Sequence, residues 1–285
     1  MSYLLEFAEM ARSTFYYYRR RICVPDKWEP VSRRIAELYH HHKGRYGVRR
    51  ITLALRADGV VVNHKTVEKL MGRMGLKSMV RAKKYRSYKG LPGMVAPNVV
   101  NRNFRSHEPY RKLATDVTEF SLFGKKLYLS PVMDMYNGEI LCHTICAHPT
   151  LEMITSMIER LKESGLPLSG ALMHSDQGWH YQHKLYQDAL KGMGIVQSMS
   201  RKGNCLDNAM MENFFGTLKS ELLYLRDFKS MYEFRDSLEE YIDYYNNERI
   251  KLRLGTSPVK YRMKFINTVS EMNATSETVI KQTDN

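Results

Sequence analysis

Residues 112–148 read KLATDVTEFSLFGKKLYLSPVMDMYNGEILCHTICAH. The pattern of these residues gives the clearest indication of the fold. Runs rich in β-forming residues alternate in it with turn dipeptides: Lys112–Leu122, Phe123-Gly124, Lys126–Met135, Asn137-Gly138 and Glu139–His148. A glycine-containing pair between two such runs is typical of a tight hairpin turn. The stretch therefore predicts three antiparallel strands joined by two short turns.

The next hundred residues alternate between helical and strand patterns. The predicted segments are a helix over Thr150–Glu163, a strand over Ala171–Ser175, a helix over Gln182–Lys191, a strand over Ile195–Ser200, and helices over 207–223 and 231–247. The order βββαβαβα is typical of a mixed sheet with helices on its faces. We therefore predict an α/β domain over residues 111–265. Residues 266–285 are polar and predict a disordered tail.

The chain before this domain has a helical pattern. Residues 1–30 predict an N-terminal helical segment in which Ser13 caps a short second helix. Residues 31–85 carry the helical period in three pieces, over Val31–His42, Arg49–Ala57 and His64–Met74. Asn63 is a suitable N-cap for the third piece. Short helices in so basic a stretch predict a helix-turn-helix-like DNA-binding domain, and a small bundle with a solvated basic face is the alternative.

Residues 86–110 have no period and contain several glycines and prolines, so they predict a linker. The basic and tyrosine residues around its start, which include Tyr85 and Tyr88, suit a segment that follows a DNA backbone. A simple flexible connector explains the same composition. Both interpretations stay open at this point.

Charge separates the two halves of the chain. The net charge is +14, but residues 1–112 hold 25 Lys and Arg against 8 Asp and Glu, a net +17, whereas residues 113–285 hold 19 against 22, a net −3. So concentrated a positive charge implies a polyanionic partner, usually nucleic acid. A membrane surface is disfavoured because no basic amphipathic helix with an aromatic face is evident. No apolar run reaches membrane-spanning length, and the N-terminus does not match a secretory signal.

Three carboxylates stand where this architecture brings side chains together. Asp116 lies in the first predicted strand, Asp176 ends the fourth, and Glu212 lies on the helix that follows the last strand. A carboxylate in or at the end of an apolar strand is costly unless something compensates its charge. Oxygen ligands without Cys or His select Mg²⁺ or Mn²⁺. An ordinary solvated helix face and a satisfied turn residue explain any one of these residues, but not the set.

The helix that carries Glu212 has a second informative spacing. Asn208, Glu212 and Lys219 are four and then seven residues apart, so they share one face beside an apolar stripe that would pack on the sheet. On this face Glu212 can reach the strand carboxylates. Lys219 lies two turns further on, where it can approach a phosphate.

Four sequence words carry a family resemblance: TDVTEF, HSDQG..Y, QSMSRKGNC.DNA..E.FFGTLK.E and YN..R....LG.SPV.Y. The chain resembles the catalytic half of bacterial insertion-sequence transposases, in the superfamily that includes retroviral integrases. The likeness covers about residues 1–265 and is nearest to the second-frame product of the group that frameshifts between two reading frames. Asp176 and Glu212 are separated by 35 residues, the interval typical of that group.

The resemblance implies an RNase H-like fold, with Asp116, Asp176 and Glu212 as catalytic metal ligands and Lys219 close to the DNA end. Asn208 is expected to support the site or contact DNA. Further DNA contacts are expected at Arg49, Arg50, Lys65, Arg201 and Lys202. Trp179 and His180 stand where the family usually has small or polar residues; Trp179 could stack on a base or pack on the surface.

The chemistry expected of such a site is in-line attack on a phosphodiester. Two cations about 4 Å apart can activate the nucleophile on one side and stabilise the leaving oxygen on the other. Water as the nucleophile gives a 3′ hydroxyl, and that hydroxyl can then join strands at the same site. No Ser or Tyr nucleophile is required.

The expected function is a metal-dependent DNA transposase that acts as a homo-multimer, at least a dimer, on double-stranded terminal repeats and target DNA. A non-catalytic accessory of a frameshifted fusion is the alternative, and the first-frame product is a further expected partner. A lone nuclease of the same fold does not explain the basic half. The expected location is the bacterial cytoplasm at the nucleoid, with reduced cysteines.

Other candidate groups are weaker. The His40–His42 run is expected to be solvated, since neighbours on a helix point in different directions. Cys142 and Cys146 are expected to be buried thiols and not zinc ligands. Glu119 is expected to face outward from its strand. His174 could serve the core or the site.

Overall fold

The computed structural model describes residues 2–22, 26–80, 96–100, 103, 105–200 and 208–283, and it divides into two compact units, residues 1–79 and 80–285. Among the described residues, no helix has the length and apolar content needed to cross a membrane. The described residues do not include Cys23, Arg201, Lys202 or Cys205. They also leave out residues 81–95, which contain Tyr85, Tyr88 and the first part of the predicted linker.

The first unit is helical. Its helices are α1 (Ser2–Phe7), α2 (Arg12–Ile22), α3 (Glu29–His41), α4 (Val48–Ala57) and α5 (His64–Arg73). The last three match the three predicted periods, and their apolar faces meet in a core that includes Ile35, Ile51, Leu55, Val67 and Leu70.

Two expectations for this unit were wrong. Ser13 does not cap α2. The amide of Phe15 donates to the carbonyl of Ala11, so the helix already begins before Ser13. The histidine run is not uniformly solvated. His42 is buried and its ring stacks on Tyr46 with centroids 3.7 Å apart, because α3 ends there and the chain folds back over it.

The N-cap of α5 was correctly predicted, since the Asn63 side chain accepts a hydrogen bond from the amide of Lys65 at 2.9 Å. We expect Asn63→Ala to lower the free energy of unfolding of the first unit by about 1 kcal/mol and to speed hydrogen exchange at the Lys65 amide. Denaturant unfolding monitored by circular dichroism measures the first effect. Asn63→Asp, which keeps the acceptor, is the control, and equal losses in both variants would contradict the capping role.

The second unit contains a six-stranded mixed sheet. Its strands are β1 (Lys112–Thr115), β2 (Thr118–Leu122), β3 (Lys125–Asp134), β4 (Ile140–Cys146), β5 (Leu172–Ser175) and β6 (Val196–Met199). β3 pairs antiparallel with β4 on one side and with both β1 and β2 on the other. β5 runs parallel between β1 and β6. Phe123 and Gly124 both have positive φ (53° and 68°), which gives the predicted tight turn between β2 and β3.

Helices cover both faces of this sheet. They are α6 (Leu151–Glu163), α7 (Lys184–Gly192), α8 (Ala209–Leu218), α9 (Met231–Asn247) and α10 (Pro258–Thr283). Alternate residues of each strand enter opposite cores. Ala114 and Met133 lie with α8 and α9, whereas Leu113 and Val132 lie with α6 and α7.

Two predictions for this unit were wrong. The first predicted strand is divided into β1 and β2, so Asp116 lies between strands. The polar tail is helical as far as Thr283 in the described backbone. Residues 259–283 contain neither Gly nor Pro, so nothing in the backbone stops the helix that begins at Pro258.

The described part of the predicted linker packs on the second unit and is not a loose connector. The amides of Val99 and Val100 both donate to the Ser198 hydroxyl, at 3.0 and 3.3 Å, and Val100 is buried. The amide of Tyr110 donates to the buried Asp134 carboxylate at 2.8 Å. Val99 and Val100 therefore pack at the β6 edge of the sheet, and Tyr110 is tied to the end of β3.

Candidate active site

Asp116 occupies the break between β1 and β2. The register is continuous across the break, with Thr115 opposite Val132 and Thr118 opposite Leu129, so Asp116 faces Pro131. Proline has no amide hydrogen to offer a partner strand. The amide of Val117 instead donates to the carboxylate of Asp116 at 2.8 Å. The strand is therefore interrupted at Asp116, and its half-buried carboxylate accepts the hydrogen bond of the next amide.

Asp176 lies beside Asp116 because of the parallel register of β1 and β5. Ala114 pairs with His174, so two residues later Asp116 is level with Asp176, at the carboxyl ends of both strands. Adjacent strands are about 4.8 Å apart. Ala114 belongs to the core under α8, and Leu172 packs against that core. Side-chain alternation therefore directs both carboxylates towards the α8 side.

The loop after Asp176 is tightly built around that carboxylate. The amide of Gly178 donates to Asp176 Oδ1 at 2.9 Å. A Cβ at Gly178 would lie 3.0 Å from Asp176 Oδ1 and 3.0 Å from His180 Nε2. A larger residue at this position would therefore need the Asp176 and His180 side chains to move by a few tenths of an ångström. Burial lowers the pKa of His180, against the opposing attraction of Asp176.

Helix α8 brings Glu212 to the same place. Asn208 precedes the helix and is buried, and its amide nitrogen donates to the carbonyl of Thr115 at 3.5 Å. Glu212 lies in the first turn and is half-buried, and burial raises its pKa. Asn208 thus ties the start of α8 to the residue before Asp116. The side chain of Asn208 therefore lies inside the protein and not on its exposed surface.

The electrostatics identify the three carboxylates as neighbours. Burial raises the pKa of Asp116 well above its ordinary value, and the charges of Asp176 and Glu212 raise it further, while Lys219 acts in the opposite direction. In the described part of residues 96–283, no three Asp, Glu, His or Cys side chains have ligand atoms all within 4.8 Å of one another. The three carboxylates therefore adjoin without converging on one point.

Lys219 lies on the same side of the sheet. Its ammonium nitrogen is 5.4 Å from the centroid of the Phe120 ring. Burial lowers the pKa of Lys219, and Glu119 and Asp116 oppose that shift. Glu119 itself is exposed, as predicted, and accepts hydrogen bonds from Tyr128 and Lys126 at 2.7 and 3.1 Å.

The donor set fits a hard divalent cation. The three acidic side chains offer only carboxylate oxygens, which hard divalent cations prefer. Burial and the charges of Asp176 and Glu212 raise the pKa of Asp116, and a bound cation would lower it again. Cys142 and Cys146 are free and half-buried, less covered than the buried thiols expected from the sequence. Burial raises the pKa of Cys142 to about 12, which disfavours its thiolate form.

The residues around the site include some that the sequence left open or missed. His174 serves the core, since it is buried and its Nδ1 is 3.0 Å from the Ser198 hydroxyl. Trp179 has 57% of its surface exposed and contacts the His180 ring edge-on at 4.9 Å. Tyr181, the last residue of the HSDQG..Y word, was given no role from the sequence; it is buried with its hydroxyl 3.5 Å from that of Thr115. Its position five residues after Asp176 was the available signal.

The expected DNA contacts of the first unit are surface residues or nearly so. Arg49 and Lys65 are exposed, and Arg50 is partly covered, with its guanidinium 5.6 Å from the Tyr46 ring centroid. Lys65, Lys69 and Arg73 are exposed at four-residue intervals on α5 and form one basic stripe.

The carboxylate pKa shifts predict a pH-dependent response to cations. The pKa values of Asp116 and Glu212 are raised, so their contribution to stability is present at acid pH and is lost as the pH rises through the folded-state values. We expect the thermal unfolding midpoint without divalent cations to fall from acid to neutral pH. Mg²⁺ or Mn²⁺ should then raise it most at neutral pH, because they bind the deprotonated carboxylates.

Asp134 must be separated from this effect. Burial raises its pKa to about 6, so it contributes a pH dependence of the same sign. It makes no difference to the cation response, which scanning fluorimetry measures directly. Asp116→Asn should raise the cation-free midpoint at neutral pH and shrink the cation-induced increase. An undiminished increase in that variant would show that the cation binds elsewhere.

Comparison with known proteins shows which protein families this chain resembles. The model of an HTH-like domain matches residues 27–84, and two integrase core domain models match residues 106–205 and 212–266. The catalytic core domain of HTLV-2 integrase, solved with magnesium, superposes with a TM-score of 0.43 at 17% identity, over 55% of this chain and 99% of that one.

Sequence relatives agree along most of the chain. A protein named as the transposase InsK of insertion sequence element IS150, from Escherichia coli K12, is 49% identical over 91% of this chain and 92% of its own length. A transposase-like protein of Haemophilus influenzae is 45% identical over 76% of this chain and 100% of its own length. Transposase InsF of insertion sequence IS3A, also from Escherichia coli K12, is 32% identical over 78% of each. The chain therefore belongs to the insertion-sequence transposases of the DDE and retroviral-integrase superfamily, which act in DNA transposition.

Proposed function

We propose that this chain cleaves and joins phosphodiester bonds at the ends of an insertion sequence, with Asp116, Asp176 and Glu212 as its metal-binding catalytic residues. One observation carries the proposal. The β1–β5 register sets the two aspartates side by side, and the Asn208 amide joins the helix of Glu212 to the same strand end.

Each residue has a role that follows from its position. Asp116, Asp176 and Glu212 hold Mg²⁺ or Mn²⁺, and we propose two ions. When bound, such cations activate the attacking oxygen and stabilise charge on the leaving oxygen. Burial and like charges raise the pKa of Asp116. A bound cation favours the deprotonated carboxylate, so cation binding promotes the loss of this proton. Lys219 contacts a phosphate of the DNA end.

DNA binding is assigned chiefly to the basic half. Residues 1–112 have a net charge of +17, and α5 carries an exposed basic stripe. We propose that this half binds the double-stranded terminal repeats, with Arg49, Arg50 and Lys65 among its contacts. Arg201 and Lys202 are further proposed DNA contacts of the chain. Two element ends must be held together, so the active form is a multimer, at least a dimer. The first-frame product is a further proposed partner.

Phosphorus stereochemistry tests the reaction class. Direct in-line attack without a covalent enzyme intermediate inverts the configuration at phosphorus in each step. The full-length chain is incubated with a pre-cleaved element end, Mg²⁺ or Mn²⁺, and target DNA carrying phosphorothioates of one configuration. We expect inverted configuration in the joined product. Retention would indicate a covalent intermediate, and binding without any product would favour the non-catalytic accessory function.

A further inference from the structure

The helix that carries Glu212 changes its pitch at Lys219. α8 ends at Leu218, and Lys219–Leu223 form a single π-helical turn in which the amide of Tyr224 donates to the carbonyl of Lys219 at 3.0 Å. π turns are rare, and they persist where surrounding contacts hold them. The helix is therefore wider over Lys219–Leu223, directly after the turns that carry Glu212.

A buried ion pair holds this turn from inside. Glu221 is 2% exposed, and both of its carboxylate oxygens accept hydrogen bonds from Arg249, from Nε at 2.7 Å and Nη2 at 2.7 Å. The hydroxyl of Tyr241 donates to Glu221 at 3.0 Å. Arg249 follows the end of α9 and is also buried. The pair therefore fixes the π turn to the C-terminal end of α9.

Lys219 lies two residues before Glu221 in the same turn, with its ammonium over Phe120 and within the field of Asp116. The turn thus joins a side chain anchored in the core to a side chain directed at the acidic site. We propose that the Glu221–Arg249 pair is a positioning device that holds Lys219 at the catalytic carboxylates. The inference rests on the proposed phosphate contact of Lys219.

A second buried pair offers a matched control. Glu139 and Arg262 make the same two-bond contact, at 2.7 and 2.9 Å, and their side chains are 8% and 18% exposed. This pair joins the residue before β4 to α10 and is separate from the π turn. Replacing a buried ion pair by two apolar residues of similar volume often preserves the fold. Both pairs can therefore be converted to methionine.

The experiment is a double-mutant cycle on the full-length chain. E221M/R249M and E139M/R262M are each made with Lys219 and with Lys219→Ala, and the joining rate at saturating DNA and the Kd for element ends are measured. We expect E221M/R249M to lower the rate about 10- to 100-fold when Lys219 is present and to have little further effect when it is not. The control pair should act equally in both backgrounds. Equal effects of E221M/R249M in both backgrounds would overturn the proposal.

Two further measurements keep the outcome decisive. Hydrogen exchange at the Tyr224 amide, measured without DNA, should be faster in E221M/R249M than in the control pair; unchanged exchange would overturn the proposal even if no chain were active. An inactive parent chain would count against the proposed function instead. If the methionine variants do not fold, Tyr241→Phe removes only the third contact. Tyr241→Phe should lower the joining rate by a smaller factor, and only when Lys219 is present. An equal effect with and without Lys219 would contradict the inference.

Discussion

Asp116→Asn is expected to lower DNA cleavage and joining by at least about 1,000-fold, because one of the three carboxylates that hold the cations is lost and several kcal/mol of transition-state stabilisation go with it. The substitution is nearly isosteric, and the amide can still accept the hydrogen bond that Val117 donates. It also relieves repulsion from Asp176 and Glu212. Folding and DNA binding should therefore be retained.

Gel analysis of cleaved and joined oligonucleotides, together with the Kd for element ends, measures both expectations. Asp188→Asn is the matched control, since Asp188 is an exposed aspartate on α7. It should leave both quantities unchanged. If Asp116→Asn cleaved and joined DNA at the parent rate, the assignment of the catalytic carboxylates would be wrong.

Replacing Lys65, Lys69 and Arg73 together by alanine is expected to weaken DNA binding on the order of 100-fold at about 0.1 M salt. These residues form the exposed stripe of α5. Each cation that contacts a phosphate contributes about 0.9 to the slope of log K against log salt, so the slope should fall by about 3. Fluorescence anisotropy with labelled DNA over a range of salt concentrations measures the slope and the affinity.

The control for this experiment has the same change in charge. Arg12, Arg19 and Arg20 are exposed on α2, outside the segment that matches the HTH-like domain. Their replacement by alanine should reduce the slope by less than the α5 triple does. Equal losses from the two triples would show that the basic half binds DNA through its overall charge and not through α5.

Short-range patterns in the sequence pointed to three carboxylates, and the structure brings these three near one another. Phe123-Gly124 marks a hairpin and Asp176 follows an apolar run, and both signals are local. The break at Asp116 was not predictable in this way. It lies opposite Pro131, which is fifteen residues away and faces Asp116 only through the strand register. Strand pairing is a long-range contact that a local pattern does not report.

The same limit applies to Lys219 and its support. A regular helix predicted that Glu212 and Lys219 share a face, but the π turn depends on Glu221 meeting Arg249 across 28 residues. The role expected for Asn208 also needed tertiary contacts, since its buried amide is joined to Thr115. Sequence spacing suggested that these side chains share one face, and only the packing of the chain determines what each of them contacts.

The shared register of β1 and β5 has a consequence for how this protein tolerates change. Asp116 and Asp176 are aligned by backbone pairing, so the length of chain between β2 and β5 does not set their separation. Loop insertions in that interval should leave the pair level. Deleting a single residue within β5 is different, because a one-step slip turns Asp176 towards the opposite face of the sheet. Length variation among relatives is therefore expected to collect in the loops between these strands and to be absent within them.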